Sequence, residues 1–366
     1  MNNKLGLYLH IPFCKSKCAY CDFFSGKATQ SDYDGYVGEL SDKIKYWSQK
    51  TDRALTSIYI GGGTPSVLGT ERLCAVLNSV YDCFSVADFA EVTVEVNPES
   101  GKELDFSRFK KAGVNRISIG MQSADEEELK ILGRIHSTDD VRQTVFKAKD
   151  SGIDNISLDL MLGIPLQTFD SLGQSVDFCA GLGVKHISAY LLKIEEGTGF
   201  YKNRDRLALP DEDAQAEMYL FAVDRLERLG YHQYEVSNFA KRGFESRHNS
   251  SYWTLDDYIG IGPSAHSFFG GRRFYYKRDM QAFFDNVTVD DGAGGDEKEF
   301  IMLSLRLKRG LVFDEFEKKY SKPLPDTLLK KSEKYISMGL MKNNGSSLFF
   351  TPEGFLVSNT VICDLT

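Results

Sequence analysis

Three segments of the chain share one hexapeptide pattern, and this repetition limits the fold more than any other feature. Gly113-Val114-Asn115-Arg116-Ile117-Ser118, Gly152-Ile153-Asp154-Asn155-Ile156-Ser157 and Gly183-Val184-Lys185-His186-Ile187-Ser188 each read glycine, β-branched residue, two polar residues, isoleucine and serine. A glycine that ends a helix in the left-handed conformation, followed by an isoleucine directed into a core, marks a helix-to-strand junction. Three alike in succession describe consecutive βα units. Short β-rich runs also recur at 5–10, 56–61, 91–96, 115–120, 155–160 and 185–191, with helix-length stretches between them. From Asp211 to Leu229, Ala214, Met218, Phe221, Ala222, Leu226 and Leu229 fall at helical spacing, and Gly230 stands as a C-terminal cap. This α/β alternation predicts parallel strands joined by crossover helices. Six or seven units make an incomplete, TIM-like barrel of (β/α)6 type rather than a closed eight. A weaker fourth copy at 230–237, longer by two residues, is the candidate seventh unit. In such a ring, ligand-handling residues belong at the C-terminal ends of the strands.

The segment Asp290-Asp291-Gly292-Ala293-Gly294-Gly295-Asp296 reads as a linker. It separates a barrel domain at 1–289 from a small C-terminal domain at 296–366. The latter carries helical patterns at 297–307, 313–320 and 325–338, then a hairpin turning at Asn343-Asn344-Gly345, which predicts a winged-helix-like α+β unit. Such shapes often bind DNA, but this one holds eleven Lys and Arg against ten Asp and Glu, and the whole chain has a net charge of −8. Neither suits phosphate neutralisation, so nucleic acid is excluded as the main partner and a docking role is expected. No apolar run approaches the roughly 18–20 residues that span a bilayer, and no signal peptide is evident, so the expected location is cytoplasmic. Seven cysteines, odd in number and unevenly spaced, do not form a disulfide framework. Clustered cysteines then mean metal or catalysis.

The cluster is Cys14-Lys15-Ser16-Lys17-Cys18-Ala19-Tyr20-Cys21, directly after the first strand and Pro12. Three thiolates hold three irons of a four-iron cluster and leave the fourth open to an exogenous ligand. The same spacing, with His10 as a fourth ligand, also fits Cys3His zinc and a zinc-stabilised scaffold. After the second strand comes Gly61-Gly62-Gly63-Thr64-Pro65, where side-chain-free backbone admits a ligand and offers N–H groups to a carboxylate or phosphate. It matches neither the dinucleotide fingerprint nor the Walker loop. Later strands end in Glu95, Gln122 and Asp159, and Arg134 follows in Gly133-Arg134-Ile135-His136. The carboxylates suit amino or ribose hydroxyl groups, and the guanidinium suits a carboxylate. Cys74 and Cys83, nine residues apart on one helix, face opposite ways and form no site. His266, in a glycine-rich loop, is a weaker candidate for the same pocket.

These residues resemble the radical SAM superfamily, and within it the group of oxygen-independent coproporphyrinogen dehydrogenases and heme chaperones. The carrying motifs are Tyr8-Leu9-His10-Ile11-Pro12-Phe13-Cys14, Cys14-x3-Cys18-x2-Cys21, Gly61-Gly62-Gly63-Thr64-Pro65 and Gly120-Met121-Gln122-Ser123. The resemblance runs through nearly the whole chain. It implies a 4Fe-4S cluster on Cys14, Cys18 and Cys21, with Tyr8, Gly62, Gly63, Thr64 and Glu95 lining S-adenosylmethionine. Tyr20, Gln122, Arg134 and Asp159 match positions that contact a second such molecule in the dehydrogenase; whether one or two bind here stays open. Two departures favour the chaperone branch. Asp22 and Phe23 follow Cys21 where the dehydrogenase pattern has another Cys two places on, and only seven residues precede Tyr8. His248-Asn249-Ser250-Ser251-Tyr252-Trp253 carries the chaperone branch's heme-associated His-Asn-x2-Tyr-Trp, with His248 the candidate heme ligand. The resemblance thus implies heme as cargo and a heme-acceptor protein as partner, membrane-bound respiratory proteins being candidates. Radical SAM oxidative decarboxylation of coproporphyrinogen III is the alternative activity.

Overall fold

A computed structural model describes residues 4–366. Six strands run parallel in chain order: β1 (Leu5–Ile11), β2 (Leu55–Gly62), β3 (Val86–Val96), β4 (Arg116–Gln122), β5 (Asn155–Leu162) and β6 (His186–Leu191). The repeat's glycines end the preceding segments as expected, with φ of 93° at Gly113, 79° at Gly152 and 63° at Gly183.

The two faces of this sheet differ in chemistry. Leu7 and Leu9, Ile58 and Ile60, Val92 and Val94, Ile117 and Ile119, Ile156 and Leu158, and Ile187 all join the buried apolar core. Alternate residues form the inner face, and the register lines them up: Tyr8 with Tyr59, Tyr59 with Thr93, Glu95 with Ser118, Ser118 with Ser157, and Asp159 with Ser188. Strands of period two therefore give the ring an apolar outside, covered by helices, and a polar inside. The inside is hydrogen-bonded across strands, as in Ser157 Oγ to His186 Nδ1 at 2.7 Å and Tyr190 Oη to Gln122 Oε1 at 2.7 Å.

The weak fourth repeat does not add a parallel unit. Gly230 has the expected positive φ of 76°, but the chain then forms only β7 (His232–Gln233) and β8 (Asn238–Ala240), which pair antiparallel, with β8 antiparallel to β6. Buried Glu235 accepts the Ser237 N–H at 2.9 Å and turns the chain back after two strand residues. The seventh parallel strand is instead β9 (Asp257–Ile261), paired with β1 on the opposite edge. Antiparallel β10 (His266–Phe269), β11 (Arg272–Tyr276) and β12 (Thr288–Ala293) extend that edge, so the twelve-stranded sheet stays open.

The segment expected to be a linker is largely strand. Phe274 pairs with Asp290 and Arg272 with Ala293, because Asp290 binds Arg272 and accepts the Gly292 N–H, which holds the polar run against the sheet edge. The C-terminal unit then opens at Asp296, which caps the helix Glu297–Ser304. Helices Phe313–Tyr320 and Asp326–Ser337 follow as expected, and β14 (Met341–Asn343) and β15 (Ser347–Phe350) form the hairpin, with β13 (Leu311–Val312) alongside β15. Two short helices, Pro352–Leu356 and Ser358–Leu365, complete it. Backbone bonds from Val236 to Arg306 and from Lys308 to Tyr234 fasten this unit to the β7–β8 turn. Among the described residues, no helix is long and apolar enough to cross a membrane.

Candidate functional site

The cysteine segment leaves the C-terminal end of β1 and is pinned at its base. Cys14 N–H donates to the Gly26 carbonyl at 2.9 Å, and Gly26 N–H donates to that of Pro12 at 3.0 Å. Its tip is held by Ala19, whose N–H reaches the Leu132 carbonyl and whose carbonyl accepts the Phe200 N–H, and by an Asp22–Arg278 ion pair at 3.0 Å. These anchors bring Cys14, Cys18 and Cys21 to one cavity, shared with Gly62, Gly63, Thr64, Glu95, Gln122, Arg134 and Asp159. Tyr20 lines it as well. Burial pushes the Cys18 and Cys21 thiols up, and the Arg134 guanidinium partly opposes this at Cys18.

Three candidate residues lie elsewhere. Tyr8 gives its hydroxyl to a contact with His10 Nδ1 at 3.0 Å, and its ring lies 6.4 Å from that of His248. His248 is fully buried beneath the sheet's inner face: Nδ1 meets Ser57 Oγ at 2.8 Å and Nε2 meets Tyr252 Oη at 2.8 Å. The helix that carries it, Arg247–Trp253, closes the N-terminal end of the strands, opposite the cysteine loop. Its first turn is tied to Glu91 of β3, which accepts the N–H groups of Arg247 and His248, both at 3.0 Å. In this conformation the imidazole has no unengaged nitrogen, and burial lowers its pKa to about 3. His266 lies on β10, exposed and stacked on Tyr275.

The glycine run is corrected in one respect. Its N–H groups serve the protein: Gly62 donates to Glu95 Oε2 at 3.1 Å, Gly63 to the Ile11 carbonyl and Thr64 to that of Phe13, both at 2.8 Å. The missing side chains admit protein groups too. A Cβ on Gly62, where φ is 118°, would lie 2.7 Å from the His10 ring, and one on Gly63 would lie 2.7 Å from the Phe13 carbonyl and 3.0 Å from Cys14 Sγ. The run lets β2 press against the cysteine loop. Gly63→Ala is therefore expected to lower the iron content of the reconstituted protein by displacing Cys14; undiminished iron would show that the loop yields freely.

The donor set fits a cluster and an amino-acid-bearing nucleotide. Arg134 is partly buried, and its Nε, buried, has no hydrogen-bond partner. A buried N–H of a guanidinium left unpaired is costly unless an anion meets it, and a carboxylate matches its geometry. Glu95 and Asp159 are carboxylates raised first by burial, Glu95 to about 7. Both suit hydroxyl or ammonium donors. His10, the fourth ligand of the zinc alternative, bonds Tyr8 and the Phe24 carbonyl through its two nitrogens, and burial holds it at about 4. Among the described residues, no three His, Cys, Asp or Glu side chains converge on a single metal ion. With both His10 nitrogens engaged, the three thiols lack the fourth protein ligand that structural zinc takes, and three thiolates match the three protein-bound irons of a four-iron cluster.

Asn97, Ser118 and Tyr190 also line the cavity, and Tyr59 stands behind it as a hydrogen-bond partner of Glu95; no motif in the sequence marks these four. Asn97 Nδ2 and Cys14 Sγ both contact Thr64 Oγ1 at 3.3 Å. The available signal was the polar member of each alternating pair along β2 to β6.

Residues 8–179 match the radical SAM superfamily, and residues 298–357 match the HemN C-terminal domain. The heme chaperone HemW of Bacillus subtilis (strain 168) is 35% identical over 371 residues, which take in 97% of each chain. The chain belongs to the HemW family of radical SAM proteins. The heme chaperone HemW of Escherichia coli (strain K12) is 39% identical over 72% of this HemW-family chain and 69% of its own. The solved coproporphyrinogen III oxidase (HemN) from Escherichia coli superposes with a TM-score of 0.85 over 100% of this chain and 90% of that one. At 20% identity this shows a shared fold. Membership of the superfamily implies a 4Fe-4S cluster and S-adenosylmethionine.

Proposed function

We propose that this chain binds heme and passes it to an acceptor protein, with a 4Fe-4S cluster on Cys14, Cys18 and Cys21 and S-adenosylmethionine at the open iron. The full-length likeness to heme chaperones carries this reading. Bound, the cluster supplies the open iron that S-adenosylmethionine ligates and the electron that radical chemistry draws on. The chain's own residues bind and orient: Arg134 meets a carboxylate, while Glu95 and Asp159 accept from amino or hydroxyl groups.

Beside the cysteine pocket lies a cavity of about 530 Å³, walled in part by Tyr20, Phe23, Met161, Tyr190, Leu191 and Leu192. Phe23, the residue that follows Asp22, is 66% exposed at this mouth. Apolar and aromatic walls of this kind suit a porphyrin face. Ligation by His248 asks more of the protein, because iron must displace Ser57 or Tyr252 from the imidazole.

Heme titration of the anaerobically reconstituted protein tests the proposal. A saturable Soret band with one heme per chain, retained through gel filtration, is expected. Absence of stable heme binding overturns the chaperone reading. So does rapid formation of protoporphyrinogen from coproporphyrinogen III that depends on cluster and S-adenosylmethionine, which would establish the alternative enzyme.

A further inference from the structure

One aromatic ring joins the barrel's floor to its ligand pocket. Tyr59 Oη donates to Glu95 Oε1 at 2.7 Å, and Glu95 Oε2 accepts the Gly62 N–H. The ring of Tyr59 also stacks on His248, with centroids 5.1 Å apart and planes 27° apart. His248 is clamped between Ser57 and Tyr252, so the ring beneath Tyr59 has one seat. Gly61 keeps the space clear, because a Cβ there would lie 2.9 Å from the Tyr59 ring and 3.0 Å from the Glu95 carboxylate. Glu95 itself borders both the cysteine pocket and the mouth cavity.

We propose that Tyr59 is a positioning residue that holds Glu95 for the nucleotide and transmits to it the seating of the His248 helix. The helix that closes the barrel is then part of the S-adenosylmethionine site, although it lies at the far end of the strands from the cysteines. This inference rests on the reading of the pocket given above. His248 does not bond Glu95, so its influence passes through the ring it supports. Tyr8, Asp159, Arg116 and Tyr252 also face Glu95 electrostatically. Burial raises Glu95, and the Tyr59 hydrogen bond acts the other way by stabilising the ionised form. Without the phenol, Glu95 holds its proton to higher pH, so a ligand that needs the ionised acceptor is lost sooner as the pH falls.

The test is S-adenosylmethionine affinity of heme-free, anaerobically reconstituted protein, read from the cluster's electron paramagnetic resonance spectrum. Wild type, Tyr59→Phe, His248→Ala and the double variant are compared across pH. Tyr59→Phe keeps the ring and its stack, so iron content should hold while affinity falls roughly ten-fold and the pH midpoint moves upward. His248→Ala should weaken binding roughly three-fold, and the double variant should be no weaker than Tyr59→Phe alone, since both act through one group. If His248→Ala does not fold, Tyr252→Phe, which removes one clamp and keeps the imidazole, replaces it with the same expectation. Wild-type affinity and midpoint in Tyr59→Phe overturn the positioning role. Multiplying single effects in the double variant overturn the link to the floor. A wild-type spectrum that does not respond to S-adenosylmethionine overturns the pocket reading itself, before any variant is compared.

Discussion

Replacing Cys14, Cys18 or Cys21 by alanine is expected to abolish the iron–sulfur cluster in each case, taking iron from about four per chain to near zero after anaerobic reconstitution. Each thiol supplies one of three protein ligands, and among the described residues no spare cysteine reaches the cavity. Cys74 is buried on the helix Gly69–Cys83, and Cys179 is buried with its sulfur 3.7 Å from Met121 Sδ. Cys74→Ala and Cys179→Ala should therefore leave iron unchanged. Iron and sulfide analysis with the visible spectrum decides the matter. One zinc per chain and negligible iron in an anaerobic wild-type preparation would sink the cluster and restore the zinc scaffold, despite the engagement of both His10 nitrogens.

His248→Ala is expected to destabilise the fold by about 3 kcal/mol at pH 7.5, since it opens a cavity under Tyr59 and strands the Ser57 and Tyr252 hydroxyls. The deficit should also depend on pH. Burial first, and the Arg116 cation second, hold the folded imidazole at about 3 against an ordinary 6.5. Between those values the unfolded chain takes up a proton at this residue and the folded chain does not. The imidazole's contribution is thus fully present above 6.5 and is lost as pH falls, at about 1.4 kcal/mol per pH unit. Alanine has no such titration, so the gap between the proteins should nearly close by about pH 4.5. Urea unfolding of both at several pH values measures it. A gap that stays constant would mean that His248 titrates normally and that the floor opens to water. Heme titration of the same variant bears on the ligand: an unchanged Soret band and affinity, with fold and cluster intact, would remove His248 from the heme site. The stability control matters because a collapsed floor also disturbs heme binding without any loss of a ligand.

Much of the architecture was legible because it depends on local rules. A glycine at positive φ followed by a β-branched residue fixes a helix-to-strand junction whatever surrounds it, and so Gly113, Gly152 and Gly183 announced three of the six units. Gly230 obeyed the same rule locally, yet its strand ran antiparallel, since direction depends on what the next residues pair with. Buried Glu235 turned the chain back. The Asp290–Asp296 run reads as a linker for a similar reason: composition reports solvent exposure, and an edge strand is exposed on one side. Its pairing with Arg272–Tyr276 is a long-range fact.

The site divides along the same line. The sequence by itself determined that three thiols share one short loop after a strand, because eight residues cannot carry them far apart, and that polar residues end the strands around them. Only the tertiary structure decided where the other residues went. It turned the N–H groups of Gly62, Gly63 and Thr64 inward to Glu95, Ile11 and Phe13. It placed His248, the candidate heme ligand, at the floor of the barrel and sealed from solvent. It joined Tyr59, Glu95 and His248, far apart in the chain, through one ring. The physical reason is range: dihedral preferences and loop length act over a few residues, whereas burial, register and stacking are set by segments that meet only once the sheet has formed.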